Sequence, residues 1–270
     1  MQKVKYMPLT TEYKINDRYS WRDTHPLNAP LHQHEHIELL LIRHGTLTAK
    51  TVSEEYTMSD GDIAVFFPYT VHGYETVSES FDYYMLIFTP NELGDVREIF
   101  MNEYPESPVI PKADVPPDVN GLVHDFNETN YWDKSKSYLL NSLLRLIAAR
   151  LLPLMTLVPT TAENRTDNVV KLVRFMSEHY TEPITLDSVA EELGISRYAA
   201  SRIFNNRLHA GFPRYLNSLR IEQAKRLLSM TVKPIIDIAL DCGYDNLRTF
   251  NRVFSESENM SPRQYRKNLK

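Results

Sequence analysis

Leu186-Asp-Ser-Val-Ala-Glu-Glu-Leu-Gly-Ile-Ser196 and Ile235-Ile-Asp-Ile-Ala-Leu-Asp-Cys-Gly-Tyr-Asp245 are two versions of one pattern. Each starts as an amphipathic helix with a small residue inside it, Ala190 or Ala239, where a partner helix can cross closely. Four residues later comes a glycine, Gly194 or Gly243, which lets the chain leave the helix with positive φ. Two residues further on, Ser196 or Asp245 is a residue type that caps the start of the next helix. The following helices are expected from Arg197 to Arg207 and from Asn246 to Ser257. One glycine between two helices would suit any bundle, but the same spacing twice reads as two helix-turn-helix units.

The segment between the copies fits that reading. Pro213 to Met230 places Leu216, Leu219, Ala224, Leu227 and Leu228 on an inward stripe. A helix of this length spans about 27 Å. Successive major grooves on one face of DNA lie about 34 Å apart, so one rigid helix can hold two reading helices in adjacent grooves. Val169, Val173, Met176 and Tyr180 mark a helix ahead of the first copy, and Pro262 to Asn268 a short one after the second.

From Asp167 to Lys270 the chain resembles the DNA-binding domain of the AraC/XylS family of bacterial transcription regulators. The residues that carry the likeness include Ile184-Thr185-Leu186, Ser201-Arg202-Ile203-Phe204, Leu219-Arg220-Ile221, Ala224, Leu227-Leu228, Cys242-Gly243-Tyr244, Phe250, Ser261-Pro262 and Tyr265-Arg266. The chain departs from the family pattern at His209-Ala210-Gly211 and at Asn259, near or at positions where the family usually has glycine. The resemblance implies that the outer faces of the second helix of each unit enter DNA grooves. The implied readers are Arg197, Tyr198, Ser201, Arg202 and Asn205 on the first, and Asn246, Leu247, Arg248, Asn251 and Arg252 on the second. Arginine can grip guanine with two hydrogen bonds, asparagine can do so with adenine, and leucine can touch a thymine methyl. Ile203, Phe204, Phe250, Val253 and Phe254 face the core.

The first ~90 residues read differently. His36 to Arg43, Asp62 to Phe67 and Tyr83 to Phe88 are apolar runs separated by turn signals such as Ser59-Asp60-Gly61. Strands without intervening helices suggest a β-sandwich or barrel. Helices are expected over Glu92 to Tyr104, Val119 to Trp132 and Ser135 to Leu152, the last with two apolar sides. The overall expectation is α+β: a cupin-like β-barrel followed by helices, then an all-α domain with two helix-turn-helix motifs. The expected boundaries are 1–158 for an effector-sensing and dimerisation domain, 159–166 for a proline-led polar linker, and 167–270 for the DNA-binding domain.

The most distinctive stretch of the first half is Leu31-His-Gln-His-Glu-His-Ile-Glu38. On one extended strand, His32, His34, His36 and Glu38 would share a face. With Gly45, Gly61, Pro68 and His72 the pattern resembles the paired motifs of cupins, although no glycine precedes His32 and the second motif carries one extra residue before Pro68. That resemblance implies His32, His34, Glu38 and His72 as ligands of a divalent metal: Mn, Fe, Ni or Zn. In sensor domains of the regulator family the same pocket commonly takes a small organic effector, which could be a sugar. Trp21, Tyr69 and Tyr74 would then supply stacking surface beside His32, His34, Glu38 and His72. Both alternatives stand at this point, and no metal is required as a cofactor. His25, His44, His124 and His179 read as surface or capped residues.

Cys242 is the one cysteine in 270 residues, which rules out an internal disulfide and suits a reducing compartment. Met1 to Trp21 lacks the apolar core of a signal peptide, and Leu139 to Val158 carries Arg145 and Arg150, which argues against a membrane span. No phosphate-binding loop or nucleophile elbow is present.

These features predict a cytoplasmic, bacterial, non-enzymatic regulator. Its partners would be double-stranded DNA, a small-molecule effector, a second copy of itself and, as an activator, RNA polymerase. The alternatives are a metal-responsive regulator or a metal-dependent cupin enzyme with an appended helical domain. The net charge of −5 divides in the same place: 167–270 has 16 Lys and Arg against 12 Asp and Glu, whereas 1–166 has 14 against 23. The acidic excess belongs to the first half, and the expected reader of DNA is basic.

Overall fold

A computed structural model describes residues 19–129, 137–160 and 167–268. Contacts divide the chain into two compact units that part between Asp167 and Asn168.

The N-terminal unit is built on two antiparallel sheets. Strands β1 (Tyr19–Asp23), β3 (Ile37–His44), β6 (Ile63–Phe66), β8 (Asp82–Phe88) and β10 (Val109–Ile110) form one, in the order β1-β8-β3-β6-β10. Strands β2 (Ala29–His32), β4 (Leu47–Thr51), β5 (Glu55–Met58) and β7 (His72–Thr76) form the other, in the order β2-β7-β4-β5. Leu40 and Ile42 of β3 pack between the sheets with Leu47, Ala49, Met58 and Phe66. Their neighbours Ile37, Leu39 and Leu41 point the other way, into a layer of helices. Strand β3 therefore has no solvent face over Ile37–Ile42, which explains why it reads as a continuous apolar run.

The covering helices are α1 (Arg97–Asn102), α2 (Val119–Glu128) and α3 (Ser137–Leu151). Helix α3 buries Leu140, Leu143, Leu144, Ile147, Ala148 and Leu151 against that layer. Tyr138, Leu139 and Leu146 lie on its outer side, 82%, 50% and 42% exposed. The single helix expected over 92–104 is instead a 3-10 turn at Pro90–Val96, broken at Gly94, then α1, then strand β9 at Glu103–Pro105. Strand β11 (Leu157–Pro159) pairs with β9, and Thr160 N–H donates to the Asn102 carbonyl at 2.8 Å. Sheet pairing thus takes up Pro159 and Thr160, the first two residues expected in the linker. A proline can end a strand because its missing N–H need not be paired there. Residues 161–166 of that linker, and Trp132 and Ser135 at the expected helix ends, lie outside the described residues.

The C-terminal unit is helical: α4 (Asn168–His179), α5 (Leu186–Leu193), α6 (Arg197–Asn206), α7 (Phe212–Met230), α8 (Ile235–Asp241), α9 (Leu247–Glu258) and α10 (Pro262–Asn268). Helix α7 has 19 residues. It supplies Ile221, Ala224 and Leu228 to the core of the second helix-turn-helix unit, beside Ile238, Ala239, Phe250, Val253 and Phe254. No helix among the described residues is long and apolar enough to cross a membrane.

Candidate functional site

The two turns that present α6 and α9 are built alike. Gly194 and Gly243 have φ of 64° and 80°. In the first turn Ile195 N–H donates to the Ala190 carbonyl and Gly194 N–H to that of Glu191, both at 3.0 Å. In the second, Tyr244 N–H donates to Ala239 at 3.0 Å and Gly243 N–H to Leu240 at 2.9 Å. This hydrogen-bonded C-terminal cap satisfies the last carbonyls of the first helix and turns the chain toward the second.

Ser196 caps α6 as expected, its hydroxyl accepting from Ala199 N–H at 3.1 Å. The cap of α9 is Asn246 and not Asp245: the Asn246 side chain accepts from Thr249 N–H at 2.9 Å. Asn246 therefore has a local backbone partner, which competes with a role in reading DNA.

The exposed face of α6 carries Arg197, Tyr198, Arg202 and Asn205, with Ser201 half-buried and bonded to the Asn205 amide at 3.3 Å. Tyr198 is 75% exposed, unusual for a large aromatic with no covering partner on its own unit. Arg197 is engaged by Asp187, and Arg252 of α9 by Glu256 at 2.8 Å. Arg248 and Arg252 are exposed on α9 and Asn251 is half-buried. Leu247, expected to face outward, is half-buried and packs against the core that holds Phe250 and Tyr244. Thr249 is exposed on the same face as Arg248 and Arg252, and the pattern-based selection omitted it. Its spacing, three residues ahead of the exposed Arg252, was the available signal.

In the N-terminal unit, His32, His34, Glu38 and His72 meet: each offers a ligand atom, and all four atoms lie within 4.8 Å of one another. The expected single strand from His32 to Glu38 is not what brings them together. Strand β2 ends at His32, the chain bends through 33–36, and β3 starts at Ile37. His32 and His72 are direct cross-strand partners, with ring centroids 4.5 Å apart. Glu38 pairs in register with Phe66 of β6, and the Phe66 ring stacks on His72 at 4.3 Å. His36, which strict alternation would have included, is outside the four-residue cluster. Phe66, which sequence alone did not mark, is the ring that orients His72.

The three imidazoles are held in one manner. Nδ1 of His32 lies 2.9 Å from the Pro30 carbonyl, Nδ1 of His34 3.2 Å from that of His36, and Nδ1 of His72 2.8 Å from that of Thr70. A carbonyl can only accept, so each Nδ1 carries a proton and each Nε2 turns inward. His34 Nε2 lies 3.0 Å from Glu38 Oε2, and the Tyr74 hydroxyl donates to Glu38 Oε1 at 2.6 Å. His72 Nε2 is buried and has no hydrogen-bond partner, standing 3.6 Å from Glu38 Oε1.

Burial raises the Glu38 carboxyl, but the imidazoles of His34 and His72 outweigh it and hold the group well below the usual carboxylate range. Burial, and then His72 and His34 beside it, push His32 down to about 3. Three nitrogens and a carboxylate turned inward are a donor set that suits a divalent transition metal. The orphaned His72 Nε2 fits a missing partner at their centre.

Tyr69 stands at the rim, 47% exposed, with its N–H donating to the His34 carbonyl at 2.8 Å and φ at 62°. Of the other expected pocket residues, Tyr74 joins the cluster through Glu38, and the Trp21 side chain lies outside the described residues. His25, His44 and His179 pair with Asp23, Asp60 and Glu182 near the surface, and His124 bonds the Tyr84 hydroxyl.

Two family models match the chain: "AraC-like ligand binding domain" over residues 17–127 and "Helix-turn-helix domain" over 189–268. Regulatory protein SoxS of Salmonella typhimurium is 35% identical over 98 residues, which are 36% of this chain and 92% of that protein. The chain belongs to the AraC/XylS family of transcription regulators.

A further relative is the melibiose operon regulatory protein of Escherichia coli, 34% identical over 99 residues, 37% of this chain and 33% of that one. The apo form of a ToxT variant from Vibrio cholerae shares the fold over 98% of this chain and 100% of its own, with a TM-score of 0.55 and 12% identity. As an AraC/XylS member the chain carries a DNA-binding helix-turn-helix region and a ligand-binding region, and the relatives named are regulators.

Proposed function

We propose that the chain is a sequence-specific transcription regulator that reads a bipartite DNA site and responds to an effector bound at His32, His34, Glu38 and His72. The observation that carries this reading is the repetition itself: two capped turns present two helices, each with outward arginines, from the ends of one 19-residue helix. Arg197, Tyr198, Ser201, Arg202 and Asn205 read one half of the site. Arg248, Thr249, Asn251 and Arg252 read the other.

The role is regulatory and not catalytic. As an activator, the protein would engage RNA polymerase from the promoter, in the bacterial cytoplasm, which suits its single buried cysteine. The outer side of α3, with Tyr138, Leu139 and Leu146, is the face we assign to pairing with a second copy. Between a sugar and a metal, the Phe66 ring stacked on His72 and the Tyr74 hydroxyl bonded to Glu38 leave close packing around the four residues, which favours the smaller effector.

Selection of duplexes from a random pool by the full chain tests the reading. Two enriched blocks about one helical turn apart are expected. Salt-insensitive binding, or no enrichment at all, would overturn it.

A further inference from the structure

Three elements of the helical unit converge on one arginine. Arg220 stands near the middle of α7 and is half-buried. Its Nε donates to the Tyr180 carbonyl at 2.7 Å, and its Nη2 to the Glu182 carbonyl at 2.9 Å. Both acceptors lie in the loop that leaves α4 and leads into α5, so this grip is on the first helix-turn-helix unit. The same guanidinium lies over the Tyr244 ring, 5.5 Å from its centroid. Tyr244 sits in the turn of the second unit, two residues ahead of the Asn246 cap of α9. Its hydroxyl donates to Asn217 Oδ1 on α7 at 3.2 Å, which ties the ring to the helix that carries Arg220.

We infer that Arg220 is a positioning residue that sets the angle between the two reading helices, and with it the spacing of the two DNA blocks that the protein accepts. The inference rests on the bipartite reading above. Arg220 acts through α5 and α9, from the helix that joins their units, and not on a base.

Apolar packing alone does not fix that angle. The core around α8 and α9 takes Ile221, Ala224 and Leu228 from α7 but no described residue from α4, α5 or α6. Beside Arg220 the two units are separated by a groove of about 620 Å³, with Pro183, Ile184 and Thr185 on one side and Leu240 and Asp245 on the other. The units meet closely at its edge, where a Cβ on Gly243 would lie 2.5 Å from the Thr181 carbonyl oxygen. One close contact makes a pivot, and an angle needs a second fixing point. Arg220 supplies it by holding both flanks. Helix α7 by itself is too soft, because long helices curve. A bend of about 10° at the middle of a helix of this length moves its end by about 2 Å, more than half a base-pair step of about 3.4 Å.

The residue type suits the task. The planar fork of arginine serves two carbonyls along one edge and lays a flat face on a ring at the same time. Lysine has one point charge and no flat face, so it cannot hold both flanks.

The test measures the affinity of the full chain, at fixed salt, for four duplexes: the selected two-block site, the same site with one base pair added or one removed between the blocks, and a site with one block scrambled. The wild type should bind each altered spacing about tenfold more weakly than the selected one, or worse. Arg220→Lys and Arg220→Met, with folding checked by circular dichroism and urea unfolding, should bind the selected site about tenfold more weakly and all three spacings within about threefold of one another. Their affinity for the one-block duplex should match that of the wild type.

An unchanged spacing penalty in the folded Arg220 variants would overturn the inference. An equal loss on the one-block duplex would also overturn it, since Arg220 would then be a DNA contact or a general support of the fold. Where the Arg220 variants do not fold, Tyr244→Phe decides. It releases the ring from Asn217 and should reduce the spacing penalty about threefold, and an unchanged penalty overturns the inference. A wild type that binds every spacing alike removes the bipartite reading and the inference together. A wild-type penalty that the variants keep removes only the role of Arg220.

Discussion

The two helix-turn-helix units reach the same geometry by different local means. The first relies on capping. Thr185 and Ser188 cap α5 reciprocally, each side chain bonding the other's backbone N–H, and Ser196 caps α6. Its turn glycine, Gly194, faces open space, with nothing within 4 Å of where a Cβ would lie.

The second unit relies on packing. Helix α8 follows Pro234 without a side-chain cap. The segment just ahead of it is held from outside by Arg266, which donates to the Lys233 carbonyl at 2.7 Å. Tyr244, Phe250, Phe254 and Tyr265 form a chain of ring contacts with centroids 5.3–5.6 Å apart. A Cβ on Gly243 would sit 2.5 Å from the Thr181 carbonyl oxygen. Identical turns can thus have unlike tolerances. One requires a conformation, and the other a conformation and a space.

The sharpest way to break this comparison is to put alanine at both glycines. Gly194→Ala should cost about 1–2 kcal/mol, the penalty of a left-handed backbone. Gly243→Ala adds a clash with backbone and should cost about 3 kcal/mol or more. Urea unfolding of the two variants measures the gap, and equal losses would show that the Thr181 contact is immaterial.

Next in size is DNA affinity. Arg202→Ala and Arg248→Ala should each lose about 1–3 kcal/mol on the selected site, at opposite halves of it. The same loss on unrelated duplex would reassign them to phosphate contacts.

Cap removal is smaller. Ser196→Ala and Asn246→Ala should each cost about 1 kcal/mol of stability. The Asn246 variant is the more informative one. Unchanged DNA affinity, measured where both proteins are folded, would confine Asn246 to capping.

The smallest effects are expected where the chain departs from the family's glycines. His209 and Asn259 have φ of 50° and 54°. His209→Gly should gain up to about 1 kcal/mol, and Asn259→Gly less than about 0.5 kcal/mol, because asparagine already tolerates that conformation.

These differences also mark what was legible in the sequence. The helical unit could be read because its signals are local: a glycine, a cap and an apolar stripe within a dozen residues. The slip from Asn246 to Asp245 has a simple origin. Both are good caps, they are adjacent, and only the backbone decides between them. Leu247 was misplaced because a residue on the first turn of a helix can face either way. The histidine cluster was legible in its members and not in its cause. Alternation along one strand would have included His36, whereas a bend and the pairing of His32 with His72 across two strands bring in the actual set. Strands β2, β4, β5 and β7 are short and carry polar residues, so their pairing could not be read from their own pattern. The β9–β11 pairing escaped for the same reason, since strand pairing is a property of distant segments.

Strand β3, buried on both faces, has one more consequence. A slip of a single residue would turn Glu38 into the apolar helix layer and bring Ile37 or Leu39 between the sheets. The carboxylate would then lose Tyr74 and the imidazoles and stand unpaired in hydrocarbon, which a folded protein does not tolerate. Glu38 therefore acts during folding as an alignment mark. The native register is the one that brings Glu38 to His34, His72 and Tyr74.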